Sequence, residues 1–172
     1  MSEITYVRGD ATAPSVKGVR LIAHVCNDIG GWGKGFVLAL SRRWPEPQAV
    51  YRAWHRDRAH NDFGLGATQF VQVEKYVWVA NLIGQRGVLP QGLGFARPGR
   101  TPMGSKGVPV RYESIDTGLA HVATKAAELG ASVHMPRIGC GLAGGDWSRV
   151  EPLIMRRLVE RGVAVTVYDH GE

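Results

Sequence analysis

Two glycine-rich loops constrain this chain more than any other feature of its sequence. Residues 24–35 read HVCNDIGGWGKG, and residues 135–146 read MPRIGCGLAGGD. Each loop follows a short β-branched apolar run and precedes a helical pattern, so each should present backbone N–H groups and a helix N-terminus at a strand end. Glycine lets the backbone approach phosphate oxygens closely, because it has no side chain and adopts positive φ at little cost. The pair of loops therefore predicts a cradle for a diphosphate.

The length and composition favour one soluble domain. With 172 residues, 44% of them hydrophobic, the chain can bury one core, and we predict that residues 1–172 form a single domain. No apolar stretch reaches the roughly 20 residues of a membrane helix, and residues 1–5 do not resemble a signal peptide. We therefore expect a cytoplasmic protein with no membrane partner. Both cysteines fall in the glycine loops and are expected to be reduced.

The net charge of +6 favours anionic partners. A phosphorylated small ligand and nucleic acid both satisfy this condition. The arginines are scattered over several predicted helices, and the sequence shows no continuous basic stripe with interleaved aromatic residues. Nucleic acid therefore stays a possible partner that the pattern does not favour.

Alternating apolar patterns predict a three-layer α/β/α sandwich around a mixed, largely parallel sheet. Because ligands bind beyond the carboxyl ends of parallel strands, both glycine loops should converge on one crevice. The segment 84–108 is long and punctuated by Gly and Pro, which is typical of a functional lid or of a disordered loop. Strands are predicted over 4–7, 19–25, 67–73, 76–83, 132–135 and 163–168, with the third and fourth forming a hairpin. Helices are predicted from residue 36 until Pro45 stops the first, and then over 47–60, 112–129 and 147–161.

Four elements of the chain resemble the macrodomain superfamily, whose members bind ADP-ribose. They are Gly9-Asp10, the loop 24–35, the run 135–142 and the segment Thr166-Val167-Tyr168. Within the superfamily the chain looks most like the branch of terminal ADP-ribose protein glycohydrolases, which act on ADP-ribosylated glutamate, and their bacterial relatives. The resemblance spans nearly the whole sequence and implies the macrodomain-like fold.

The resemblance also implies where the parts of ADP-ribose bind. Asp10 would accept a hydrogen bond from the adenine amine and Tyr168 would lie beside adenine, although a turn aspartate and a packed tyrosine are the structural alternatives. The diphosphate would lie between residues 33–36 and 139–144, and the distal ribose against Asn27, Asp28 and the turn 30–32. Trp32 would be a wall of the ribose pocket or an exposed lid residue. The implied ligand-binding residues are Asp10, Ala11, Cys26, Gly31, Trp32, Gly33, Lys34, Gly35, Phe36, Gln85, Gly139, Cys140, Gly141, Leu142, Ala143, Gly144 and Tyr168.

The chain departs from the glutamate-specific members at two positions. Where those proteins carry a lysine and an aspartate, this sequence has Gln85 and Ala143. An amide is not a nucleophile at neutral pH, so a lysyl-sugar adduct is excluded. One other route is a water positioned by Asn27 and activated by the substrate diphosphate or by a nearby carboxylate, with Asp28 favoured, and these two residues are the catalytic candidates. Asn27 would alternatively satisfy loop backbone.

Other chemistries have less support. Asp146 is a weaker candidate base, because its position suits a helix N-cap. Cys140 with His24 as its base is not favoured, and no metal-ligand spacing or cofactor is expected. The predicted function is hydrolysis of ADP-ribose from acidic side chains of proteins, with ADP-ribose and ADP-ribosylated proteins as partners. The alternatives are a non-catalytic reader of ADP-ribose and a hydrolase of a small ADP-ribose derivative or of ADP-ribosylated nucleic acid.

Overall fold

The computed structural model describes residues 3–88 and 108–169, and within them six strands form one mixed sheet. The spatial order is β1-β6-β5-β2-β4-β3. Neighbouring strands run parallel except for β3, which is antiparallel to β4, so the predicted hairpin is confirmed. The strands are β1 (Thr5–Arg8), β2 (Arg20–Asn27), β3 (Thr68–Glu74), β4 (Val77–Gln85), β5 (Ser132–Met135) and β6 (Val165–Asp169).

The helices of the described residues follow the predicted order. They are α1 (Phe36–Arg43), α2 (Glu46–Arg56), α3 (Tyr112–Leu129) and α4 (Trp147–Arg157). The continuous helices predicted over 47–60 and 147–161 end early, and each is followed by a 3-10 turn, Arg58–His60 and Val159–Arg161. The final turns tighten to i→i+3 hydrogen bonds, such as that from Gly162 N to Val159 O at 3.0 Å.

The inner strands β2 and β4 are buried on both faces, which is why their sequences are largely apolar, whereas β1 at the edge of the sheet is exposed throughout. Leu21 and Ala23 of β2 pack with α3 and α4, whereas the intervening Ile22 packs in a second cluster with α1 and α2. Because side chains alternate along a strand, one sheet separates two helical layers. The three-layer α/β/α architecture is therefore confirmed.

One helix lies unusually close to the sheet. A Cβ atom built on Gly118 of α3 would be 2.3 Å from Leu82 Cγ, so only glycine fits there. Gly130 ends α3 in the left-handed conformation, with φ 63°, directly after the predicted helix 112–129. This packing fixes β4 against α3, and β4 leads directly into the candidate site.

The predicted segment 84–108 falls mostly outside the described residues, since 89–107 are not described. Its first two residues, Gly84 and Gln85, continue β4 instead of starting a loop. The last, Val108, precedes an isolated antiparallel bridge between Val110 and Gln85. The question of a lid therefore stays a prediction.

Candidate functional site

The candidate site lies where the parallel strands end. Asp10 follows β1, Asn27 ends β2, and Gln85 ends β4 and pairs with Asn27 in the β2–β4 register. The second glycine loop follows β5, which also runs parallel to β2. The topology thus brings both glycine loops to one edge of the sheet, as the sequence predicts.

Asn27 organises the first glycine loop. Its Oδ1 accepts hydrogen bonds from the backbone N–H groups of Ile29 at 3.0 Å and Gly31 at 2.9 Å, and its Nδ2 donates to Gly31 O at 2.9 Å. The Tyr51 hydroxyl, from α2, donates to Asn27 at 2.7 Å from its carbonyl oxygen and 2.9 Å from Oδ1. The side chain is therefore committed to loop geometry, which is the structural alternative foreseen for it. Its contact with a catalytic water stays a prediction.

Trp32 anchors the same loop in the core. Its side chain is 4% exposed, and its ring lies 5.4 Å from both the His24 and Tyr51 rings, centroid to centroid. The Trp32 Nε1–H donates to Ser41 Oγ at 2.8 Å. The interpretation of Trp32 as an exposed lid residue was therefore wrong, because an indole of this size is buried between aromatic neighbours. Its role as a pocket wall stays a prediction.

The segment between Trp32 and α1 is exposed backbone. Gly33, Lys34 and Gly35 are all solvent-exposed, and Gly35 occupies the N-cap position of α1 with φ 79°. A left-handed backbone at this point requires glycine. Because no acidic residue occupies the first turn of α1, its N-terminal dipole is not neutralised there. The arrangement suits an anionic ligand.

The second glycine loop is a tight turn in which two glycines meet. Gly145 N donates to Gly139 O at 2.8 Å, and a Cβ atom on Gly145 would lie 2.2 Å from that oxygen. Gly141 and Gly144 have φ values of 68° and 77°; Gly141 begins the 3-10 turn Gly141–Ala143, which also contains Leu142, and Gly144 follows it. The loop therefore needs glycine for its shape, and Gly141 is exposed.

Hydrogen bonds join the two loops through the strand end between them. Asp28 Oδ1 accepts from Gly87 N at 2.8 Å, just beyond β4. Gln85 forms an antiparallel bridge with Val110 through the neighbouring hydrogen bonds from Arg86 N to Pro109 O at 2.8 Å and from Arg111 N to Gly84 O at 2.9 Å. The Val110 N–H donates to Ala143 O at 2.9 Å. This end of the site is thus a connected frame, in which Asp28, Gln85 and Ala143 are held by hydrogen bonds that involve backbone groups.

Gln85 and Ala143 are both engaged in this frame. The Gln85 Nε2 donates to Gly87 O at 2.9 Å, and Ala143 is 5% exposed. Cys140 is half-buried, and burial raises the pKa of its thiol, so that the thiol is a poor nucleophile at neutral pH. Asp146 occupies the N-cap position of α4, as predicted, but its side chain makes no capping hydrogen bond.

Asp10 lies at the other end of the site in a polar network. Its Oδ1 accepts hydrogen bonds from the N–H and hydroxyl of Thr12, at 2.8 and 2.7 Å, and its Oδ2 is 3.5 Å from Arg43 Nη2. Burial raises the pKa of Asp10, but these hydrogen bonds and the Arg43 charge outweigh it, so that the pKa lies below its usual value. Arg43 also donates to Thr12 Oγ1 at 2.6 Å. The carboxylate is therefore ionised and oriented.

Four other predicted site residues occupy different settings. Tyr168 is half-buried beside Gly9, where a Cβ atom would lie 3.9 Å from the tyrosine Cδ2. The side chains of Ala11 and Cys26 are buried, at 2% and 3% exposed, and Phe36 packs 5.8 Å from the His24 ring. Because the side chains of Ala11 and Cys26 are buried, only their backbone groups could contact a ligand. Their ligand contacts stay predictions.

Sequence reasoning missed the residues that hold this site from a distance. Tyr51 and Arg43 come from helices whose patterns mark them only as a core and a surface position. Gly87 came from a segment interpreted as a loop. A pairing between Arg43 and Asp10 had no local signal, because 33 residues separate them; the structure alone joins them.

Two further properties concern the described residues as a set. They contain no group of three or more His, Cys, Asp or Glu side chains that could hold a metal ion. Among the helices of residues 3–88 and 108–169, none has the length and apolarity needed to cross a bilayer.

Comparison with known proteins identifies the family. No family model matches the chain. A solved macrodomain protein from Streptomyces coelicolor is 69% identical, with a TM-score of 0.82, and the match covers 98% of this chain and 100% of that one. A protein of unknown function from Bacteroides thetaiotaomicron is 49% identical, with a TM-score of 0.86 and 98% coverage of both chains.

Curated relatives are more distant. The chromodomain-helicase-DNA-binding protein 1-like of Danio rerio is 30% identical over 96% of this chain, but the chain spans only 15% of that protein's length. The ADP-ribose 1''-phosphate phosphatase of Meyerozyma guilliermondii is 24% identical over 92% of this chain and 96% of its own. The full-length match at 69% identity, together with the sheet order and the paired glycine loops, shows that this chain belongs to the macrodomain family.

Proposed function

We propose that this macrodomain binds ADP-ribose and hydrolyses it from modified acidic side chains of proteins. The observation that carries the proposal is the hydrogen-bonded frame of Asp28, Gly87, Gln85, Val110 and Ala143. This frame fixes the carboxylate that the first glycine loop carries and links it through the end of β4 to the second glycine loop. A phosphate-binding cradle with a carboxylate at its end suits a hydrolase that binds a sugar diphosphate and cleaves a linkage on the sugar.

The cradle would bind the ligand through backbone. In our proposal the diphosphate lies between the segment 33–36, whose first three residues are exposed, and the turn 139–144, and Lys34 adds charge. The left-handed glycines Gly35, Gly141 and Gly144 keep both loops free of side chains at this point. The ADP-ribose 1''-phosphate phosphatase relative supports ADP-ribose as the nucleotide.

Adenine would bind at the Asp10 end. Because its pKa is lowered, Asp10 is an acceptor-only carboxylate at neutral pH and suits the amino group of adenine. Tyr168 lies beside Gly9, at the same end of the sheet. The carboxyl ends of β6, β5 and β2 lie between this end of the sheet and Asp28. The diphosphate would bind along these strand ends, between adenine and the distal ribose.

The reaction we propose uses water as the nucleophile. The water oxygen forms a bond to the anomeric carbon of the distal ribose while the bond from that carbon to the glutamate or aspartate oxygen breaks. The proton of the water passes to Asp28 or to the substrate diphosphate, and the side-chain carboxylate leaves with its electron pair. A carboxylate is a good leaving group, so that positioning of the water contributes more than a strong base. Asn27 shapes the loop that carries Asp28.

A non-catalytic reader is the second candidate. It is favoured by the engaged amide of Gln85 and the buried methyl of Ala143, neither of which has a catalytic group to offer. A reader needs the cradle without the chemistry. The two functions therefore share the binding site and differ in turnover.

Isothermal titration with ADP-ribose tests the shared part of the proposal. We expect one binding site per chain and no comparable binding of ADP lacking the distal ribose. The same protein is then incubated with ADP-ribose 1''-phosphate, and phosphate release is measured. Binding without phosphate release supports the acidic-linkage hydrolase or the reader; absence of ADP-ribose binding contradicts both.

A further inference from the structure

We propose that His134 is the positioning residue for the adenine end of the site, acting through Tyr168. This inference rests on the proposed function, because it assumes that ADP-ribose binds with adenine beside Tyr168. His134 lies on β5, does not reach the surface and takes no part in the glycine loops. Its two ring nitrogens are nevertheless both engaged.

The hydrogen bonds of His134 form a short line across the sheet. Its Nδ1 lies 2.8 Å from the hydroxyl oxygen of Tyr168 on the neighbouring strand β6, and its Nε2 lies 2.8 Å from Ser132 Oγ on its own strand. The rings of His134 and Tyr168 are 5.8 Å apart, centroid to centroid, and tilted by 47°. A buried imidazole with two partners has one orientation, and it imposes that orientation on the tyrosine.

The imidazole is neutral in this setting. Burial, assisted by the charge of Arg20, lowers the pKa of His134 to about 4. One ring nitrogen therefore donates and the other accepts, and the hydroxyl groups of Ser132 and Tyr168 complete either arrangement. Both hydrogen bonds of His134 can therefore form in either tautomer, and the tyrosine hydroxyl keeps its partner at neutral pH.

Tyr168 is held at both ends of its ring. The hydroxyl is fixed by His134, and the ring edge lies against Gly9, whose added Cβ would be 3.9 Å from Cδ2. The adjoining backbone is fixed as well, since Gly9 N donates to Asp169 O at 2.8 Å. A ring fixed in this way is preformed beside Gly9, the residue that precedes Asp10, and binding costs less when the surface is preformed.

The test compares ADP-ribose with ribose 5-diphosphate, which is the same ligand without adenosine. Tyr168→Phe removes only the hydroxyl and keeps the ring. We expect it to weaken ADP-ribose binding about fivefold, because the ring is no longer held in place before the ligand binds, and to leave ribose 5-diphosphate binding unchanged. Affinities are measured by NMR titration, which also reports millimolar binding. Ser132→Ala, at the far end of the line, is expected to weaken ADP-ribose binding less than Tyr168→Phe.

A spectroscopic measurement separates positioning from general packing. In the wild type, ADP-ribose is expected to shift the Nδ1 and Nε2 resonances of His134, because adenine contacts the tyrosine that the imidazole holds. Ribose 5-diphosphate is expected not to shift them. Equal loss of both ligands in Tyr168→Phe, or unchanged ADP-ribose affinity, overturns the inference while the proposed function stands. If the wild type does not bind ADP-ribose, the proposed function fails and the inference fails with it.

Discussion

Asp28 Oδ1 accepts a hydrogen bond from Gly87 N at 2.8 Å, which ties the first glycine loop to the residues just beyond β4. This bond fixes the position of the one carboxylate that the first loop contributes. It also means that the charge of Asp28 and its hydrogen bond are separable by mutation, because an amide oxygen accepts the same bond.

Asp28→Asn keeps an acceptor for Gly87 and removes the charge. If the carboxylate receives the proton of the attacking water, release of ADP-ribose from an acidic linkage falls at least about 100-fold. ADP-ribose affinity, measured by calorimetry, is expected to change by less than about threefold, since the loop keeps its bond.

Asp28→Ala is the matched control for that substitution. It removes both the charge and the bond to Gly87, so it is expected to lose affinity as well as turnover. Full turnover in Asp28→Asn contradicts the catalytic role. Equal loss of affinity in both variants contradicts the separation of the two roles.

Asn27 and Tyr51 share a hydrogen bond under the first loop, and both should contribute to stability. Asn27→Ala leaves the N–H groups of Ile29 and Gly31 without their acceptor and is expected to cost about 3 kcal/mol of the free energy of unfolding. Tyr51→Phe is expected to cost about 1 kcal/mol. Urea unfolding of the double variant should show a smaller loss than the two single losses combined, because the groups interact. Strictly additive losses would contradict the shared bond.

Gly145 is the position in the second loop where replacement of glycine is tolerated least. A Cβ atom there would lie 2.2 Å from Gly139 O, so Gly145→Ala must break the bond that closes the turn. We expect ADP-ribose affinity to fall at least about tenfold, a loss of about 1.4 kcal/mol. Gly64→Ala is the control, because a Cβ atom at Gly64 meets nothing within 4 Å. Wild-type affinity in Gly145→Ala would show that the turn does not bind the ligand.

Stability should depend on pH through His24. Burial lowers the pKa of His24 to about 4, although its hydrogen bond with Asn81 opposes this. Between pH 6.5 and 4 the unfolded chain binds a proton that the folded chain does not, so the free energy of unfolding falls as the pH falls. The slope is at most about 1.4 kcal/mol per pH unit for this histidine. Urea unfolding of His24→Gln should show a shallower slope than the wild type over this range, and an unchanged slope would contradict the assignment.

The sequence was sufficient for the architecture because the patterns that specify it are local. β-branched runs, the proline at residue 45 and the glycine at residue 130 mark element ends, and α3 has the predicted bounds. The convergence of the glycine loops followed from the parallel order of the strands. These features depend on periodicity and backbone conformation, which neighbouring residues determine.

The orientation of individual side chains could not be predicted in the same way. A tryptophan between glycines suggested either a pocket wall or an exposed lid residue, and Trp32 is buried because α2 supplies Tyr51 as its neighbour. Asn27 had two equally good interpretations until the acceptors and donors of its own loop were in place. Contacts such as Arg43 with Asp10 depend on how helices pack on the sheet, and no local pattern records that packing.

Turnover of a defined linkage tests the central claim most directly. The protein is incubated with proteins ADP-ribosylated on glutamate or aspartate, and separately on serine or arginine, and released ADP-ribose is measured by mass spectrometry. The account predicts release from the acidic linkage alone, reduced at least about 100-fold in Asp28→Asn. Binding of all these substrates without release from any would contradict it and establish a reader.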